Sequence, residues 1–170
     1  MRTIIAVALA LTATGSAVRA EVIDRIMAVV GGQPITLSDV NAAMVFHLVP
    51  QRDTPDPLAT TLDRLVERAL ILAEVDRYQP PEPAPDAIDE RIVAIAGQLG
   101  SREALDRNLA AVGLTLEQLR RRIRDDMRIS IYLNQRFGGG ETENDRRTLV
   151  ADWVAGLRRR TDVTLLYLGK

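Results

Sequence analysis

The stretch from Asp56 to Gln79 does most to narrow what this chain can become. Asp56-Pro57 is a helix start, with a side-chain cap followed by a residue whose fixed φ suits the first turn. From there Leu58, Leu62, Leu65, Val66, Ala69, Leu70 and Ala73 recur on one helical face, while Asp63, Arg64, Glu67, Arg68 and Glu74 take the other. The run 79–85 (QPPEPAP) then stops the pattern, because proline removes a donor and clashes with the preceding turn. A helix of about twenty residues with a single apolar stripe has to bury that stripe against other elements.

Most of the remaining chain offers the same kind of partner. Asp86 to Leu99 carries Ile88, Ile92, Ile95, Ala96 and Leu99 at helical spacing, and Gly100 suits the left-handed position just past a helix end. Ser101 caps a short helix through Leu105, Leu109 and Val112, closed by Gly113. Thr115 with Gln118 forms a capping box, and Leu116, Leu119, Ile123, Met127 and Ser130 run in one line below it. A second line, Ile129, Leu133 and Phe137, widens that face. Gly138 to Gly140 is a break, and a last helix is expected over 142–160 with Leu149, Val150, Trp153, Val154 and Leu157 apolar. Arg158 to Arg160 place cations where the helix dipole favours them.

The two ends read as strand. Val22 to Val30 is rich in β-branched residues and stops at Gly31-Gly32, a hairpin turn signal. Pro34 cannot donate to a ladder, so the return arm must be short or at an edge. Thr36 with Asp39 starts a first helix, expected over 38–49 and ended by Pro50. Asp162 to Leu168 (DVTLLYL) reads as a final strand. An isolated hairpin is marginal in water, so this strand is expected to join the first one. The fold class that follows is mainly α with a small antiparallel β element: five to six helices, and an N-terminal hairpin completed by the C-terminal strand.

Before the first strand, Arg2 precedes an apolar run (Thr3 to Thr14), and Val18-Arg19-Ala20 places small residues before Glu21. This is the pattern of a cleaved secretory signal, cut between Ala20 and Glu21. The run falls short of the roughly twenty residues that span a bilayer, so no stable membrane insertion is expected. The expected product is 21–170, a single domain in the periplasm with its helix and strand at 142–168 docking back onto the hairpin. Loss of Arg2 and Arg19 moves the formal charge from −1 to −3, which gives no push toward nucleic acid.

Chemistry has few candidates. The chain has no cysteine, which excludes thiolate zinc sites and thiol catalysis together, and one histidine, His47, which removes almost every metal site and catalytic triad that depends on imidazole. His47 reads as a surface or core filler. The carboxylates lie on polar helix faces, as Glu67 and Glu74 or Asp125 and Asp126 do. The arginines at 120–122, 124 and 128 are interleaved with Glu117, Asp125 and Asp126 and have no aromatics for base stacking, so they read as helix-surface ion pairs. No catalytic residue, metal ligand or cofactor is assigned, and the chain is not expected to be an enzyme.

Three blocks carry a resemblance: 22–41 (VIDRIMAVVGGQPITLSDVN), 61–75 (TLDRLVERALILAEV) and 101–134 (SREALDRNLAAVGLTLEQLRRRIRDDMRISIYLN). Together they resemble the N-terminal domain of the SurA family of periplasmic chaperones. The end of the chain, 149–168 (LVADWVAGLRRRTDVTLLYL), is similar to that family's returning C-terminal helix and strand. Typical members carry parvulin-type prolyl isomerase domains between these parts, but here only Gly138 to Gly140 separate Phe137 from Glu141. The resemblance therefore implies an ATP-independent holdase for unfolded outer-membrane proteins, without isomerase activity and without a cofactor.

Methionine suits a client cleft because its unbranched thioether adapts to many partners, which makes Met27, Met44 and Met127 the candidate peptide-binding residues. The rival reading is an adaptor that binds a folded partner or forms a homodimer by swapping the last helix and strand across the glycine break.

Overall fold

Residues 24–50, 54–139 and 142–167 are described by a computed structural model. In chain order the elements are β1 (Ile26–Val30), β2 (Gln33–Thr36), α1 (Leu37–Val45), α2 (Pro57–Tyr78), α3 (Pro85–Gln98), α4 (Arg102–Ala111), α5 (Leu116–Phe137), α6 (Glu143–Arg160) and β3 (Val163–Leu165). The molecule is mainly helical with one small antiparallel sheet.

That sheet has the order β2-β1-β3. Gly31 and Gly32 both adopt positive φ, 55° and 83°, the two left-handed residues that a tight hairpin turn requires. Pro34 stands opposite Val29 on β2, an edge strand where its missing donor costs no ladder bond. On the other side of β1, Val30, Val29 and Ala28 pair with Val163, Thr164 and Leu165. The strand from the far end of the chain thus completes the N-terminal hairpin. It is shorter than the run of seven expected, because Leu166 and Tyr167 both donate to the Met27 carbonyl, at 2.9 and 3.2 Å, beside the irregularity in β1 between Ile26 and Ala28.

The helix caps agree with the sequence at Asp56, Ser101 and Thr115, whose side chains each accept from a first-turn N–H, and Thr142 caps the last helix in the same way. The first helix departs from expectation. It ends at Val45 rather than running to Pro50, because His47 takes φ 49° and the chain turns there. Leu48 N–H donates to Ala43 O at 3.0 Å and His47 N–H to Met44 O at 3.4 Å, the paired bonds of a Schellman closure. That turn lets Phe46 and Val49 face inward instead of continuing around the helix.

Among the described residues, two buried clusters hold the fold. The first joins the inner face of the sheet to α2 and α6 through Met27, Val30, Leu62, Val66, Leu70 and Leu157. The second joins α3, α4 and α5 through Ile92, Ile95, Leu105, Leu119 and Ile123. α1 and its C-cap serve both, α1 giving Val40 and Ala43 to the first and Ala42 to the second, and the C-cap Phe46 joining the second. The buried line on α5 is Leu119, Ile123, Arg128 and Tyr132 rather than one continuing to Ser130, which is exposed.

Candidate binding groove

The three long helices pack on one another, α2 against α5 and α6, and α5 against α6. Between them lies an open groove of about 690 Å³. Its apolar floor comes from Ile71 of α2, Leu133 of α5, and Val150 and Val154 of α6. Ala151 and Ala155 lie one helical turn apart on α6 and line the same space. Methyl side chains at those two positions leave the gap between helices unfilled, so the groove originates in residue size.

Its rim is polar and mostly cationic: Arg64 and Glu67 from α2, Arg146, Arg147 and Arg158 from α6. Arg64 pairs with Glu67 at 2.7 Å and Arg158 with Asp63 at 3.1 Å. Arg147 reaches Glu143 at 3.2 Å, while Arg146 lies 3.9 Å from that same carboxylate and donates to Asn134 Oδ1 at 3.1 Å. These pairs sit near solvent, where each contributes little to stability and its partners exchange easily.

At one end of this three-helix unit, four of the chain's six aromatic residues meet. Trp153 is half-buried, with its ring 5.9 Å from Tyr132 and 5.4 Å from Phe137. The Arg136 guanidinium lies 5.3 Å from the Trp153 ring centroid. Tyr78 completes the row 5.5 Å from Tyr132. Burial pushes the Tyr132 phenol above its ordinary value. This cluster fixes the position of α6, and therefore one wall of the groove.

The methionines do not gather into one cleft. Met27 is 1% exposed and enclosed in the first cluster, which corrects the expectation that it faces a client. Met44 is half-buried against that cluster. Met127 packs against the second cluster, beside a separate hollow of about 250 Å³. None of the three lines the groove. The expected cleavage point, Ala20 and Glu21, lies outside the described residues. His47 is exposed at the end of α1.

One arginine expected on the surface is inside. The Arg128 side chain is 9% exposed, with Nη1 2.9 Å from Asp76 and 3.7 Å from Asp125. Its Nε lies 3.3 Å from Glu82 but is not aligned for a hydrogen bond. The arginine is drawn inward because Asp76 at the end of α2 and Glu82 in the following linker converge on it. Nearby, burial raises the Asp126 pKa against the opposing pull of Arg68, 2.6 Å away on α2. That carboxylate is engaged in holding α5 to α2.

Among the described residues no group of histidine, cysteine, aspartate and glutamate has the arrangement of a metal site. No described helix is long and apolar enough to cross a membrane. Neither the protein-family models nor the curated proteins searched contain a match to this chain.

Proposed function

We propose that this chain is an ATP-independent holdase of the periplasm, which shields unfolded segments of outer-membrane proteins and has no isomerase activity. The observation that carries the reading is the open groove with an apolar floor of Ile71, Leu133, Val150 and Val154. Apolar residues exposed by an unfolded client find there a surface that removes them from water without demanding one sequence. Such binding is weak by design, since ordering a flexible client offsets much of the contact energy. A carrier that must also release its cargo needs that balance. The three blocks resembling the SurA chaperone module support the same reading and supply the compartment and the client class.

The test is suppression of aggregation of an unfolded porin, followed by light scattering. The full chain at several-fold excess is expected to slow aggregation, and Ala155→Trp, which fills the groove from an exposed position, is expected to abolish that effect while the melting temperature stays unchanged. Full aggregation in the presence of the unaltered protein would overturn the reading.

A further inference from the structure

The rim of the groove carries charge, and its floor does not. Four guanidiniums stand around it, against the carboxylates of Glu67, Asp63 and Glu143, and Glu143 serves both Arg146 and Arg147. Each arginine has five N–H donors, so the single contacts recorded to these carboxylates leave donors directed elsewhere. The Arg147 side chain is 74% exposed and Arg64 31%. Both can turn toward an incoming carboxylate without leaving a buried charge behind.

We infer that the groove selects polypeptide segments whose apolar residues are flanked by aspartate or glutamate; the inference rests on the holdase reading above. The floor takes the apolar side chains, and the flanking carboxylates take the spare guanidinium donors of Arg64, Arg146, Arg147 and Arg158. Charge-assisted bonds from guanidinium to carboxylate are directional and able to be bidentate, so they favour one flank chemistry over another. Lysine flanks bring like charge to the same rim and are disfavoured.

The experiment titrates the full chain with three labelled peptides that share one apolar core and carry aspartate, serine or lysine flanks, read by fluorescence anisotropy at low and high salt. The aspartate-flanked peptide is expected to bind about fivefold or more tighter than the lysine-flanked one at low salt, with the gap closing as salt screens the rim. Arg146→Glu with Arg147→Glu is expected to reverse the order of preference, a gain that misfolding cannot produce. Equal affinity for all three peptides would overturn the charge inference and leave the holdase reading standing. No affinity for any of them, together with no effect on porin aggregation, would overturn both. Binding to phosphatidylglycerol vesicles without discrimination among the peptides would also overturn the inference, by assigning the rim to lipid. So would a dimer that the double substitution dissociates, by assigning it to a second copy.

Discussion

Asp39 divides its two carboxylate oxygens between different tasks. Oδ2 accepts from the Thr36 N–H at 2.8 Å and closes the capping box of α1, while Oδ1 accepts from Arg122 of α5. A local signal read from the sequence, threonine followed three residues later by aspartate, thereby also fastens one helix to another. Asp39→Asn keeps an acceptor for the cap and loses the ion pair; Asp39→Ala loses both. Urea denaturation is expected to place Asp39→Ala about 1–2 kcal/mol below wild type, with Asp39→Asn between them.

His47 holds φ 49° at the position where glycine usually closes a helix. A side chain there is strained, and this one is exposed. His47→Gly is expected to raise stability by about 0.5–1 kcal/mol, since relief of the strain exceeds the extra chain entropy. An unchanged or lowered urea midpoint would show that the histidine side chain contributes something at that turn.

Arg128 ties the end of α2 and the proline-rich linker to α5. Removing one partner of a fully buried pair costs about 3–5 kcal/mol. Here Asp76 and Glu82 are 59% and 61% exposed and recover water when the arginine is lost. The expected cost of Arg128→Gln is therefore lower, about 1–3 kcal/mol. Faster proteolysis within 79–85 is expected to accompany it, because the linker loses its tether.

The pairing of β3 with β1 predicts the effect of removing the tail. A chain ending at Arg160 loses that ladder and the Tyr167 hydroxyl bond to Asp56 Oδ2 at 3.1 Å. Its melting temperature is expected to fall by about 5 °C or more by circular dichroism. An unaltered melt would mean that the third strand contributes nothing.

Acid titration isolates Asp24. A slight desolvation opposes its charge, but hydrogen bonds from the Ser38 hydroxyl and backbone N–H outweigh this and hold its pKa below the ordinary 3.8. A carboxylate depressed on folding stabilises the fold above its unfolded pKa, and that contribution disappears as pH falls through the folded value. The stability difference between wild type and Asp24→Ala is thus expected to be constant from pH 7 down to about 4 and to shrink below it. Urea midpoints at pH 7 and pH 3 check this, and a difference that stays constant to pH 3 would remove the assignment.

Much of the architecture was legible because it was locally encoded. Caps at Asp56, Ser101 and Thr115, glycines at 31, 32, 100 and 113, and the breaker run 79–85 each act within a few residues. What escaped the sequence depended on distant partners. Arg128 looks like any surface arginine until Asp76 and Glu82 are brought to it from another part of the chain. His47 carries no helix-stop signal, and its turn is set by the burial of Phe46 and Val49 on either side. The groove is hard to read from sequence for a different reason: methionine, a large adaptable side chain, is the usual mark of a client cleft, whereas this opening comes from small side chains. The signal was present as Ala151 and Ala155 beside Val150 and Val154 on the last helix.

The nine residues of α1, with the C-cap Phe46, constrain motion. Val40 and Ala43 face one cluster, Ala42 and Phe46 the other, and all four are at most 1% exposed. Neither half of the molecule can slide against this helix without opening a void in the other. The two clusters should accordingly melt as one unit, with coincident transitions by every probe. Any widening of the groove has to come from the outer side chains of α2, α5 and α6, not from a parting of the two halves.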